Sequence, residues 1–365
     1  MKYQIQRQEK EPAYLQLYRQ VRQDIVKGIL PYGSKLPSKR IIGEELNIST
    51  VTVEHAYSLL CDEGYVEARE RSGYFVIFRP TDGFAEPEEN APLRPLSHKG
   101  ETSEFPFSVL SKVMRRVMND YEEAILTPSP GTGCEELRDA ICQYLARSRG
   151  ICVTSDQIVI GSGSEHLYTL VLSLLGQGKE YAIEAPSYHK IEQVYRASNV
   201  SFTMLPLGPE GIESRALWSC TGDILHISPY RSYPSNVTAT ASKRHEYLSW
   251  ASKADRYLIE DDFQSEFSLS RTPENTLFSQ CPEERVIYLN SFSKTVSPSL
   301  RVAYMVLPKA LVPVYREKLG FLSCTVPTFQ QLVLAALLRG GEFERHINRV
   351  RRKLRKTQQA PTESP

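Results

Sequence analysis

The chain has 365 residues, with 44 Lys and Arg against 43 Asp and Glu for a net charge of +1. This length predicts two or more domains, at roughly 100–200 residues each, and 41% apolar with 24% charged residues is ordinary for a globular protein. There is no apolar run near the ~20 residues of a membrane span, the start MKYQIQRQEKE lacks the apolar centre of an export signal, and seven scattered cysteines with no CxxC pair point away from a disulfide frame or a zinc site, so a cytoplasmic chain with reduced thiols is expected.

Residues 12–79 read as one small unit within a first domain spanning 1–79. A helix over 12–27 carries Leu15, Tyr18, Val21 and Ile25 on one face, and Gly28 with the Pro31–Gly33 turn stops it. Ser38 is placed to cap a second helix reaching Leu46. After the Asn47–Ser49 turn, Ser49 caps a third helix that aligns Val53, Ala56, Tyr57 and Leu60 at i, i+3, i+4, i+7. Gly64 ends it, and YVEARERSGYFVIF reads as two strands around a tip at Arg71–Gly73. Three helices and a hairpin in this order predict a winged helix–turn–helix.

Residues 80–104, rich in Pro and charge, read as a linker. From 105 to 355 strands and helices alternate. Strands are expected at Gln157–Ile160, Tyr181–Glu184, Val200–Leu205, Asp223–Ile227, Tyr257–Glu260, Val286–Asn290 and Val302–Leu307, with a helix over 164–175. This pattern predicts an α/β domain with a mostly parallel sheet. Arg349, Arg351, Arg352, Lys353, Arg355 and Lys356 read as a solvated helix face, and 356–365 as a disordered tail.

The third helix of a helix–turn–helix reads the major groove with its N-terminal residues, here Ser49, Thr50, Thr52 and His55. Lys39 and Arg40 are placed for phosphates, and Arg69 and Arg71 for phosphates or the minor groove. The segment from GILPYGSKLPSKR through NISTVTV to SGYFV resembles the winged domain of the GntR family of bacterial regulators. Thr50 stands where that family usually has an arginine. The resemblance implies binding to a double-stranded DNA operator.

In the second domain EDDF and SFSKTVSPSLR set Asp261 and Lys294 among Ser291, Ser293 and Arg301. An amine to form an imine, a carboxylate for a pyridine nitrogen, and hydroxyls with a guanidinium for phosphate are the equipment for pyridoxal 5′-phosphate. GSGSEHLYTL puts Gly163, Ser164 and Glu165 at a helix N-terminus that suits an anion. Residues 105–355 resemble fold-type I aminotransferases, and both halves together resemble the MocR/GabR subfamily of GntR-type regulators. That resemblance implies Lys294 as the Schiff-base lysine, Asp261 on the pyridine nitrogen, Tyr188 stacked on the ring, and Arg231, Tyr233 and Pro234 in the cofactor-facing loop. Asp262 reads as structural, and Phe263 stands where the subfamily has Tyr. The family's small C-terminal subdomain, which grips a substrate carboxylate, is expected to be largely missing. The function so implied is a regulator, a homodimer, whose aminotransferase-like domain senses a small amine or amino acid. A pyridoxal phosphate-dependent transaminase with an accessory DNA domain, and a regulator that no longer holds the cofactor, stay open.

Overall fold

The computed structural model of the protein describes residues 3–6, 11–79, 105–253, 256–262, 265–267, 275–281 and 285–359. The expected linker over 80–104, Phe263, and the end of the expected tail at 360–365 lie outside the described residues. The chain divides into two compact units, residues 1–97 and 98–365.

The first unit contains helices α1 (Ala13–Val26), α2 (Lys39–Leu46) and α3 (Thr50–Asp62), then the antiparallel strands β1 (Val66–Arg69) and β2 (Gly73–Val76). On α1 the buried row is Leu17, Val21 and Ile25 at steps of four, with Tyr18 beside it. Leu15, expected in that row, lies one flank away and is half-buried. The Ser38 hydroxyl accepts from the Ile41 N–H at 3.3 Å and the Ser49 hydroxyl from the Thr52 N–H at 3.1 Å, so both expected caps form. Such caps are each worth about 1 kcal/mol. Asn47 makes the turn between α2 and α3 with φ 51°, the left-handed region that Asn tolerates. α3 buries Val53, Ala56, Tyr57 and Leu60 against α1, and Tyr57 Oη donates to the Pro37 carbonyl at 3.0 Å. The opposite side of α3 is therefore left to solvent.

The second unit is built on an eight-stranded sheet. Its strands are β3 (Ile158–Gly161), β4 (Tyr181–Ala185), β5 (Phe202–Gly208), β6 (Gly211–Ile212), β7 (Ile224–Ile227), β8 (Tyr257–Asp261), β9 (Val286–Ser291) and β10 (Ala303–Val306), in the order β3-β10-β9-β8-β7-β4-β5-β6. Four neighbouring pairs, β4–β5, β4–β7, β7–β8 and β8–β9, are parallel. β10 runs antiparallel to both β9 and β3, and β6 antiparallel to β5. The two-residue β6 is too short to carry a period-2 signal in sequence.

The inner strands are mainly apolar because both faces of the sheet are covered, and their buried polar residues, Glu184, His226, Glu260, Asp261 and Asn290, lie toward their carboxyl ends. Tyr288, Val306 and Ile158 point to a core shared with α4 (Phe107–Tyr121), α5 (Glu135–Arg149), α9 (Ala241–Ser252) and α12 (Thr328–Arg339). Ile287, Leu289, Met305 and Val159 point the other way, to α6 (Ser164–Leu175), α7 (His189–Ala197) and α11 (Leu311–Leu319). Short helices α8 (Ser214–Ser219) and α10 (Leu277–Gln280) complete the first layer, and α13 (Glu342–Gln359) closes it. α13 is helical across 356–359, where a disordered tail was expected, because Phe343, Ile347 and Val350 anchor it to the core.

Strand direction places the site. β4, β7, β8 and β9 end on one edge of the sheet, and β3, antiparallel to β10, ends there too. β10 begins on that edge, and the register sets Gly161, Ala303 and Ser291 side by side. The segments that follow β3, β4, β7, β8 and β9 and precede β10 must therefore meet, as ligand-binding loops do at the carboxyl ends of open α/β sheets.

Candidate functional site

At this edge lies a cavity of about 410 Å³. Asp261, Lys294, Arg301, Ser164, Tyr188, Ser291 and Ser293, scattered over some 140 positions of sequence, all line it, together with Arg231 and Tyr233. Gly163 lies behind Arg301 rather than in the lining: a Cβ at Gly163 would sit 2.5 Å from Arg301 Nη2.

Asp261 ends β8 and is buried. The Tyr168 hydroxyl, from α6, donates to its Oδ2 at 2.5 Å. Burial, then the adjacent Asp261 carboxylate, push the Tyr168 phenol well above its ordinary value, so it remains a donor. His226 Nε2 lies 3.8 Å from the same oxygen, while its Nδ1 is 2.9 Å from the Tyr195 hydroxyl. His226 Nε2 is itself buried with no hydrogen-bond partner. Asp261 is thus a buried acceptor presented to the cavity, with one donor holding it from behind. Sequence reasoning missed Tyr168: it is one helical turn beyond Ser164, but nothing local to that tyrosine marks it.

Lys294 projects from the turn after β9. That turn is pinned by the buried Phe292 and Val296, through Phe292 N–H to the Val302 carbonyl at 2.9 Å and Val296 N–H to the Phe292 carbonyl at 2.9 Å. The exposed lysine therefore sits on a fixed base. Tyr188 stands at the N-terminus of α7 with its ring edge-on to Tyr233, the centroids 5.7 Å apart.

The opposite end is cationic. α6 begins at Ser164 behind Gly163, whose φ of 99° suits glycine. Arg301 Nη2 donates to Glu165 Oε2 at 2.7 Å, and the Lys190 ammonium donates to Glu165 Oε1. Burial opposes ionisation of Glu165, but bonds from Lys190, its own backbone N–H and Arg301 hold its carboxyl down to about 2. Lys190 was not singled out in sequence; a lysine two residues past Tyr188 carries no mark of its own.

Beneath the floor, Asp262 is structural, as expected. Arg149 from α5 donates to it through Nε at 2.8 Å and through Nη2, and the Tyr288 hydroxyl adds a bond at 2.6 Å. Arg351 corrects the expectation of a wholly solvated basic face on α13. It is half-buried and its Nε donates to the Glu266 carbonyl at 2.6 Å, because α13 lies against that segment. Ser232, in the loop after β7, donates to the buried Glu184 at 2.7 Å.

In the first unit Ser49 and Thr50 are exposed, Thr52 is half-buried, and His55 is exposed and stacked on Tyr14 at 4.1 Å. Arg40 is exposed and pairs with Glu44 one turn on, at 3.0 Å. Lys39 holds Glu54 of α3 at 2.7 Å, so its charge is engaged within the unit. On the wing Arg69 lies 4.5 Å over the Phe75 ring, with Lys35 on the same ring at 5.9 Å, and Arg71 occupies the tip with φ 59°. Lys35 was missed, because only the bridge between Lys35 and Phe75 brings it to the wing.

Comparisons with known proteins follow the same division. Residues 13–76 match the family described as bacterial regulatory proteins, gntR family, and residues 102–363 match aminotransferase class I and II. The HTH-type transcriptional regulator YdeL of Bacillus subtilis (strain 168) is 32% identical over 358 residues, covering 94% of this chain and 77% of that protein. The probable rhizopine catabolism regulatory protein MocR of Rhizobium meliloti is 26% identical over 367 residues, covering 93% and 74%. Among solved structures, the Pyrococcus horikoshii kynurenine aminotransferase, in complex with PMP and kynurenine, superposes with a TM-score of 0.62 at 26% identity over 68% of this chain. The chain spans 64% of the length of that solved protein.

Proposed function

The chain belongs to the aminotransferase class I and II family and, with its gntR-family region and relatives over nearly its whole length, to the MocR-type HTH transcriptional regulators; from that premise we propose that it binds a double-stranded operator through residues 12–79 and senses a small amine or amino acid through pyridoxal 5′-phosphate held over Asp261. The observation that carries this reading is the convergence on one cavity of Asp261, at the end of β8, with Lys294 and Arg301, at the two ends of the connection between β9 and β10. The residues fit the cofactor. A buried carboxylate with a back-side donor suits a protonated ring nitrogen, and a helix N-terminus with Arg301 suits a phosphate. The Lys294 amine lines the same cavity. Bound there, the cofactor supplies an aldehyde that condenses with amines and a ring that withdraws electrons.

In this reading Asp261 holds the ring nitrogen protonated and Tyr168 keeps the carboxylate aimed. Tyr188 flanks the ring. Arg301, Ser164 and the first N–H groups of α6 hold the phosphate, with Ser291 and Ser293 beside them. Lys294 would be the residue that anchors the cofactor and that an effector amine would displace. Release of Lys294 would free the 292–301 segment, and an effector would shift the population between two arrangements by its differential affinity for them. A homodimer would present two first units to paired half-sites. Ser49, Thr50 and Thr52 would read base edges, with Arg40, Lys39, Arg69 and Arg71 on the backbone or in the minor groove.

The test is the absorbance spectrum of the full chain with pyridoxal phosphate, before and after borohydride, followed by mapping of the modified lysine. Modification at Lys294, lost in Lys294→Ala while operator binding persists, is the expected result. Modification elsewhere, or retention in the variant, refutes the assignment.

A further inference from the structure

The cationic end of the cavity already contains an anion. Glu165, in the first turn of α6, places one carboxylate oxygen on Arg301 and the other on Lys190. Its side chain is 27% exposed, so water screens it only in part. It remains ionised down to strongly acidic pH, with burial opposed by Lys190, its own N–H and Arg301. Arg301 is also confined on its other side, since a Cβ at Gly163 would sit 2.8 Å from its Cζ. The two side-chain cations at this end are thus held by a carboxylate of the protein itself.

We propose that Glu165 is a built-in competitor for the phosphate cup: an incoming phosphate must take Arg301 and Lys190 from it, so Glu165 sets how tightly a phosphorylated ligand is held. This inference rests on the cofactor reading above. A phosphate monoester carries close to two negative charges at neutral pH. A fixed carboxylate one side chain away repels it by a factor of about ten in affinity even at near-water dielectric. The penalty acts on the phosphate alone, so the same aldehyde without phosphate escapes it.

The experiment compares the full chain with Glu165→Gln, which keeps shape and loses charge, and with Glu165→Ala. Dissociation constants are measured for pyridoxal phosphate and for pyridoxal, with inorganic phosphate as competitor. Both variants should bind pyridoxal phosphate about tenfold tighter, while pyridoxal affinity stays unchanged. Equal or weaker binding of pyridoxal phosphate in both variants overturns the proposal and makes Glu165 a support that orients Arg301 and Lys190. If borohydride leaves Lys294 unmodified in every protein, the cofactor reading fails by itself. The proposal is then read from thermal stabilisation by inorganic phosphate: a larger shift in the variants supports it, and an equal shift sinks it.

Discussion

Replacing Arg149 with Met should destabilise the second unit more than any single change at the cavity surface. Arg149 leaves the last turn of α5 and enters the core, where Nε at 2.8 Å and Nη2 share Asp262 Oδ2 with the Tyr288 hydroxyl at 2.6 Å. The side chains of Arg149 and Asp262 are 10% and 0% exposed. Methionine fills most of the space but leaves a carboxylate buried with one neutral donor. Removing one partner of a buried pair costs about 3–5 kcal/mol. At about 2–4 °C of midpoint per kcal/mol for a unit of this size, the drop is roughly 6–20 °C. The chain has two tryptophans, Trp218 and Trp250, both in the second unit, so tryptophan fluorescence follows that unit alone. Urea or thermal unfolding by this signal gives the loss. The double variant with Asp262→Asn removes the stranded charge while keeping an acceptor for Tyr288, and should recover about 2 kcal/mol relative to Arg149→Met alone. A loss under 1 kcal/mol for Arg149→Met, or strict additivity in the double variant, would falsify the view that this pair is a coupled buried charge.

Gly163→Ala should weaken pyridoxal phosphate binding at least about tenfold with the fold intact, since φ is 99° and the new Cβ would meet Arg301 Nη2 at 2.5 Å; undiminished affinity would mean Arg301 is not the phosphate's partner. Burial pushes the Glu184, Glu260 and Glu266 carboxyls each up to about 7 from an ordinary 4.5. Between those values the folded chain binds protons that the unfolded chain has released, so stability of the second unit should rise as pH falls from about 7 toward 4.5. Glu184→Gln should flatten that slope by on the order of 2 kcal/mol, read from urea midpoints; an unaltered slope would clear Glu184 of the effect. Arg40→Ala should lower affinity for all DNA sequences and reduce the salt slope by about 1, because its exposed pair with Glu44 is weak enough to yield to a phosphate; an unchanged slope counts against a phosphate contact.

What could be read from the chain itself were features decided within one or two turns or a few strand residues. Ser38 and Ser49 cap because the hydroxyl and its N–H partner are three residues apart. Val53, Ala56, Tyr57 and Leu60 are buried because 3.6-residue periodicity puts them on one side of α3. The strands at β3, β4, β7, β8, β9 and β10 were legible as short apolar runs between turn signals, with ends shifted by at most one residue, and β5 was expected to start two residues and end three residues early. That Lys294, Asp261, Ser164 and Arg301 belong around one cavity was suggested by a family pattern in which spacing along the chain is kept.

Only the tertiary structure decided direction and convergence. That β10 runs against β9 follows from the short 292–302 connection, which stays on one edge of the sheet, but its pairing with β3, some 140 positions earlier, is recorded in no local window. The bond from Arg301 to Glu165 spans 136 positions, and that from Arg149 to Asp262 spans 113. Tyr168 and Lys190 look like any tyrosine and lysine on a helix until the sheet edge brings them to Asp261 and Glu165. Sequence carries the short periodicities and caps that form elements, because those energies are local. Which charges meet in a buried site depends on packing between elements far apart in the chain, and that is settled only when the sheet closes.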